Sequence, residues 1–241
     1  SRFPGKPLAD ILGSPMISHV FRRASLFPHW DKLCVATCDD VIADFCIRQG
    51  WPVIMTSDQH ERPLDRVAEA ANKLDTPLSD SDIVVCVQGD EPMLHPNMIQ
   101  AVLAPLQKDQ SVDCTVLGVK ITSEWMYYSP DVVKIVADMN DDVLYTSRAP
   151  IPHCFKFPPE VDAVRIFGIL AFRKFSLDRY TQLRPTRIEV QESCDSNRIC
   201  GSGLKQRVAF FPPSDACSVD TEEGRDAVVE RMVRDPILGQ Y

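Results

Sequence analysis

No stretch of this chain approaches the ~18 consecutive apolar residues of a membrane-crossing helix, so no such span is expected. Positive charge is in deficit: 26 Lys and Arg stand against 34 Asp and Glu, a net charge of −8. A general nucleic-acid binder wants a basic face, and that role is excluded. No C-x-x-C pair occurs, and the nine cysteines are scattered. Cys34, Cys86 and Cys114 sit in apolar runs, where a free thiol behaves as a small hydrophobe. Cys34 and Cys38 lie four apart, but Val35-Ala36-Thr37 between them reads as strand and would splay them, so no zinc site is expected. Unpaired cysteines imply a reducing compartment, and no charged-then-apolar leader opens the chain. The expectation is a cytoplasmic protein. There is no internal repeat and no low-complexity tract.

What is present is ordinary globular composition, 44% hydrophobic and 25% charged over 241 residues, enough for one α/β domain with a subsidiary lobe. The most informative stretch runs Ile83-Val84-Val85-Cys86-Val87-Gln88-Gly89-Asp90-Glu91-Pro92. Its apolar, β-branched start reads as a strand buried on both faces in the middle of a parallel sheet. Pro92 cannot continue a ladder and disfavours helix just before it. Gln88, Asp90 and Glu91 therefore fall at the carboxyl edge of a central strand, where open α/β sheets place their ligand crevice. An acid there can hold a divalent cation on a phosphate-bearing substrate. Equally, Asp90 can cap the helix suggested by His95 to Leu106.

At the start, two prolines around Gly5-Lys6 forbid helix and strand and leave a rigid loop presenting Arg2 and Lys6. Positive side chains on a glycine-containing loop suit a triphosphate, although this is no Walker motif. The loop opens without a strand leading into it. Helical spacing follows over Pro15 to Leu26, strand over Lys32 to Thr37, helix over Val41 to Gln49 and strand at Val53-Ile54-Met55. That alternation predicts a parallel sheet with right-handed crossovers. Polar Ser57 to Arg66 leads into a helix over Val67 to Leu74, where Asp65 suits the helix dipole. Strands are expected over Cys114 to Ile121, Asp131 to Val136, Val164 to Arg173 and Gln206 to Phe211. Lys134 is embedded in the second of these, where a lysine usually snorkels. Helices are expected over Phe175 to Leu183, Ile188 to Arg198, and a terminal segment to Val233 capped by Thr221 or Ser218.

Four separated stretches point the same way: Arg2-Phe3-Pro4-Gly5-Lys6-Pro7-Leu8, Val87 to Pro92, Tyr145-Thr146-Ser147-Arg148-Ala149-Pro150-Ile151-Pro152, and Val219-Asp220-Thr221-Glu222. In order and nearly without gaps, they resemble the signatures of the 3-deoxy-manno-octulosonate cytidylyltransferases. The resemblance implies a Rossmann-like nucleotidyltransferase fold, a mixed and mostly parallel sheet flanked by helices, with a smaller lobe for dimerisation and sugar binding. It implies a nucleotide-binding core over 1–130, the smaller lobe over 131–210, and a terminal strand and helix over 211–241 returning to the core. It further implies Mg²⁺, CTP, an acidic sugar acceptor, release of pyrophosphate and a homodimer. On the matched positions Arg2 and Lys6 would hold the triphosphate, while Asp90 and Asp220 would converge on magnesium. Arg66 would reach the cytosine or ribose, Gln88 the sugar, and Lys134 and Arg148 the sugar carboxylate or phosphates.

Several positions depart from that pattern. Arg62-Pro63-Leu64 replaces a Ser-Gly-Thr turn that contacts nucleotide in the family. Ile166 and Leu170 stand where the family has a sugar-facing histidine and tyrosine, and Asp195-Ser196 replaces a Glu-Gln pair that binds sugar hydroxyls. A site that loses such partners loses its old ligand by orders of magnitude, so a different acidic acceptor is one expectation. A catalytically inactive nucleotide-binding relative is another.

Overall fold

The structure, a computed structural model, describes residues 3, 5–158 and 162–241. A single 3₁₀ turn, Lys6–Leu8, leads to a short hairpin of β1 (Asp10–Ile11) and β2 (Ser14–Pro15). Then come α1 (Met16–Ser25), β3 (Val35–Thr37), α2 (Asp40–Arg48), β4 (Val53–Met55), α3 (Pro63–Asn72), β5 (Ile83–Val87) and α4 (Pro96–Lys108). The second half holds β6 (Cys114–Lys120), α5 (Glu124–Tyr128), β7 (Lys134–Ala137), β8 (Val143–Ser147), β9 (Val164–Arg173), α6 (Lys174–Thr181), α7 (Arg187–Glu192), α8 (Ser196–Gly201), β10 (Gln206–Phe211) and α9 (Glu222–Met232). The chain divides into two compact units. One comprises residues 1–78, 86–100 and 215–241, the other 79–85 and 101–214.

In the first unit, α1 buries Met16, Ile17, Val20 and Ala24, one face at helical spacing. Strands β3 and β4 pair in parallel, Val35 opposite Val53, as the alternation of elements requires. Helix α2 starts where Asp39 accepts hydrogen bonds from the amides of Val41 (2.9 Å) and Ile42 (3.4 Å). Helix α3 starts at Pro63, earlier than its apolar spacing suggests, because proline is preorganised for a first helical turn.

In the second unit, β6 runs parallel to β10 and antiparallel to β9, and β7 runs antiparallel to both β8 and β9. β5 also pairs with β9. The sheet is thus mixed. Residues Cys114 to Val119 of β6 are all buried, which is why the segment reads as a continuous apolar run. Gly118 is required by packing: a Cβ there would lie 2.4 Å from Val208 Cγ1 and 2.9 Å from Val164 Cγ1.

Three local expectations are corrected. β5 is half-buried except at Cys86, not enclosed on both faces. The strand expected from Asp131 begins only at Lys134, because Ser129 to Val132 form a turn whose Ser129 and Val132 carbonyls accept from the Lys134 ammonium. The helix expected over 188–198 breaks at Ser193, which takes the left-handed conformation (φ 51°, ψ 50°) and separates α7 from α8. The hairpin β1–β2 and helix α5 are additional. None of the nine cysteines is in a disulfide. Among the described residues no helix is long and apolar enough to cross a membrane.

Candidate functional site

The first unit gathers three charges from distant parts of the chain. Gly5 takes φ 70°, a left-handed conformation natural to glycine, and Lys6–Leu8 form one 3₁₀ turn with Pro7 in its second position, where the prolines predict a loop without helix. The amide of Leu8 bonds the Gly5 carbonyl at 2.9 Å and that of Ala9 the Lys6 carbonyl at 3.1 Å. This one turn fixes the Lys6 stem, and its ammonium lies 2.8 Å from Asp90 Oδ2 and 3.2 Å from Asp220 Oδ1.

Each aspartate is placed by its own local structure. Asp90 sits in the turn after β5, where the Glu91 amide bonds the Gln88 carbonyl (3.3 Å) and the Leu94 amide the Glu91 carbonyl (3.1 Å). Asp220 immediately precedes Thr221, whose hydroxyl accepts from the Gly224 amide at 3.1 Å and caps α9. Two cross-links hold the segments in register: the Val219 amide donates to the Asp90 carbonyl (2.9 Å), and the Ser218 hydroxyl to Glu91 Oε1 (2.6 Å). The helix-capping alternative for Asp90 falls, since the amide of Asn97 in the first turn of α4 bonds His95 Nδ1 and the Asp90 carboxylate faces Lys6.

Burial pulls the Lys6 pKa down, but attraction to Asp90 and then Asp220 outweighs it, and the net shift is upward. Lys6 is therefore a firm cation. Asp90 Oδ1 is buried and has no hydrogen-bond partner among the described residues, an acceptor left open beside a second carboxylate. Among those residues no cluster of three or more His, Cys, Asp or Glu side chains forms a self-contained metal cage. Magnesium does not need one. It is commonly held by one or two carboxylates together with substrate phosphates and water, and the pair at Asp90 and Asp220 fits that donor set.

The other expected residues are distributed differently. Arg2 lies outside the described residues. Gln88 stands one position beyond β5, half-buried. Arg66, on α3, donates through Nη1 to Thr56 Oγ1 (2.5 Å) and the Ser57 carbonyl (3.1 Å), bracing the loop that follows β4. Glu69, one turn further along α3, braces the same loop by accepting from the Ser57 amide (2.9 Å) and from His60 Nε2.

In the second unit Lys134 is fully buried, its ammonium donating to the carbonyls of Ser129 (2.8 Å), Val132 (2.7 Å) and Arg148 (2.6 Å). Burial, then the nearby Arg148 charge, lower its pKa to about 8. Arg148 donates through Nε to the Glu192 carbonyl and through Nη1 to the Pro130 carbonyl, both at 2.8 Å. Sequence reasoning missed Glu192. Its carboxylate accepts from Tyr145 (2.6 Å), Ser147 (2.7 Å) and the Arg148 amide (2.8 Å), a role that depends on the break at Ser193. Although burial raises its pKa, those three donors lower it further and the net shift is downward. Asp195 occupies the cap position of α8, where its carbonyl accepts from the Arg198 amide at 3.0 Å.

Comparison with known proteins gives a consistent result. A family model described as cytidylyltransferase matches residues 1–207. The 3-deoxy-manno-octulosonate cytidylyltransferase of Syntrophobacter fumaroxidans is 39% identical over 238 residues, covering 98% of this chain and 94% of that protein. That of Nitratidesulfovibrio vulgaris is 43% identical over 211 residues, covering 86% and 82%. Among solved structures, CMP:2-keto-3-deoxy-manno-octonic acid synthetase complexed with CTP superposes with a TM-score of 0.86 at 32% identity, over 97% of this chain and 94% of that one. A 4-diphosphocytidyl-2C-methyl-D-erythritol synthase from Anaerococcus prevotii, at 14% identity, has a TM-score of 0.62 over 95% and 93%, a likeness of fold alone.

Proposed function

Because the chain belongs to the cytidylyltransferase family, we propose that it transfers CMP from CTP to 3-deoxy-manno-octulosonate, or a closely similar 2-keto-3-deoxy sugar acid, and releases pyrophosphate. In this reaction the anomeric hydroxyl of the sugar attacks the α-phosphorus, a P–O bond forms, and the bond to the bridging oxygen of the pyrophosphate breaks. The attacking hydroxyl gives up its proton to solvent. Such a displacement is mainly a matter of positioning and charge neutralisation. The observation that carries the reading is the Lys6 ammonium set between Asp90 and Asp220 at 2.8 and 3.2 Å. Lys6 supplies a fixed positive charge for the triphosphate. Asp90 and Asp220 would hold Mg²⁺, which when bound neutralises phosphate oxygens and favours the ionised nucleophile. A homodimer in the cytoplasm, supplying activated sugar to lipopolysaccharide synthesis, completes the proposal.

Pyrophosphate release from CTP, MgCl₂ and the sugar acid tests it, with a panel of other 2-keto acids as alternative acceptors. Asp90→Asn and Asp220→Asn should each lower kcat by roughly 10²- to 10³-fold, the scale for removing a group that organises transition-state charge. Turnover on no acceptor by the wild-type chain would point to the inactive relative. Turnover only on another acid would assign the changed positions Ile166, Leu170 and Asp195 to acceptor choice. Light scattering checks the dimer.

A further inference from the structure

The three residues of the site sit on three separate segments, and each segment, or the element running on from it, connects directly or through a short relay to one buried side chain. Arg23, on α1, is fully buried. Its Nη1 lies 2.7 Å from Asp235 Oδ2 and donates to the Leu94 carbonyl at 3.3 Å. Its Nε donates to the Tyr241 hydroxyl at 3.0 Å, with the guanidinium 5.2 Å from the centre of that ring. The hydroxyl lies 2.8 Å from His19 Nδ1, and His19 Nε2 lies 2.8 Å from the Ile11 carbonyl. A carbonyl can only accept, so Nε2 carries the proton, and neutral His19 takes a hydrogen bond from Tyr241 at Nδ1. Burial, with help from the Arg23 and Arg22 charges, lowers the His19 pKa and keeps that form. The chain of donors then runs one way, from Arg23 through Tyr241 and His19 to Ile11.

Each end of this arrangement meets a site segment. Ile11 closes the hairpin that follows the Lys6 turn, and the Met16 amide bonds the Ala9 carbonyl at 2.8 Å. Leu94 closes the Glu91–Leu94 turn, which follows directly on the Gln88–Glu91 turn that carries Asp90. Asp235 follows α9, whose other end is capped next to Asp220. We propose that Arg23 is a positioning residue for the transfer reaction, fixing the Lys6, Asp90 and Asp220 segments against one another, with Tyr241 and His19 as its arm to the Lys6 segment. The proposal rests on the functional reading above for its chemistry, but its mechanical part does not.

Hydrogen exchange and steady-state kinetics on two variants test it. Tyr241→Phe keeps the ring against Arg23 and deletes only the hydroxyl joining Arg23 to His19. It should speed exchange over residues 5–16 alone and raise the KM for CTP several-fold. Arg23→Lys keeps the charge for Asp235 but cannot bridge three partners. It should speed exchange over residues 5–16, 88–94 and 215–221 together, and lower kcat by roughly 10- to 100-fold, the scale of small misplacements of catalytic groups. Uniformly faster exchange across the unit, unchanged local exchange, or activity loss that follows the melting temperature and returns on cooling would each overturn it. If Arg23→Lys does not fold, the localised response to Tyr241→Phe still decides. A wild-type chain without turnover would refute the functional reading, while the exchange pattern still tests the tie between segments.

Discussion

At the scale of single residues, the charged side chains divide by what they already hold. Lys6 has its ammonium on two carboxylates that are themselves partly open to solvent, at 22% and 43% exposure, so substrate can compete for it. Lys134 has no such freedom, because three main-chain carbonyls take all three of its protons in a buried setting. Lys6→Met should therefore cost activity while leaving the melting temperature little changed. Lys134→Met should do the reverse, destabilising the fold by about 3 kcal/mol as buried carbonyls lose their donor. Thermal melts alongside CTP turnover separate the two. The sequence sets the two lysines in different surroundings, a proline-bounded loop and an apolar strand, but it does not show that Lys134 has all its protons taken by carbonyls while Lys6 meets two carboxylates.

At the scale of elements, turn and cap chemistry carries the placement. A cap at Thr221 or Ser218 was legible from the Ser218 to Glu223 stretch ahead of a helical segment, and the structure makes Thr221 the cap of α9. Thr221→Ala should cost about 1 kcal/mol of stability, the usual value of an N-cap. Because Asp220 is the preceding residue, the same change should also raise the Mg²⁺ concentration for half-maximal turnover, which a magnesium titration would measure. The break at Ser193 is passed over when 188–198 is read as one helix. Ile188 to Glu192 have helical composition, but Ser193-Cys194-Asp195-Ser196-Asn197 are mostly cap and turn formers, and the left-handed Ser193 lets Glu192 reach β8 while Glu189 pairs with Arg198 at 2.6 Å.

At the scale of the whole molecule, acid stability should depend on carboxylates that the folded chain holds ionised. On α3, hydrogen bonds from Lys73, the Ser57 amide and His60 hold the Glu69 pKa at about 2, against an ordinary 4.5. In the second unit, hydrogen bonds from Ser111 and then Arg207 hold Asp109 at about 2, against 3.8. A carboxylate with a depressed folded pKa contributes stability above its unfolded value and loses it as pH falls toward the folded one. Melting temperature should thus decline between about pH 4.5 and 2. Glu69→Gln should flatten that decline, and hydrogen exchange should show the Ser57 loop loosening first.

The sequence by itself determined the α/β alternation, the acid-bearing end of β5, the proline-bounded loop presenting Lys6 and a cap at Thr221 or Ser218 for the terminal helix. Each of these is set by backbone periodicity or by the conformational limits of proline, glycine and threonine within a few residues. Only the tertiary structure decided which charges share a centre. Lys6 reaches Asp90 across 84 positions and Asp220 across 214, while Lys134 bonds three main-chain carbonyls, Arg148 bonds two, and Glu192 takes the Tyr145 and Ser147 hydroxyls and the Arg148 amide. A charge looks the same in the sequence whether it is free for substrate or already satisfied. The difference lies in the partners that folding brings to it, and those come from segments that local patterning does not connect.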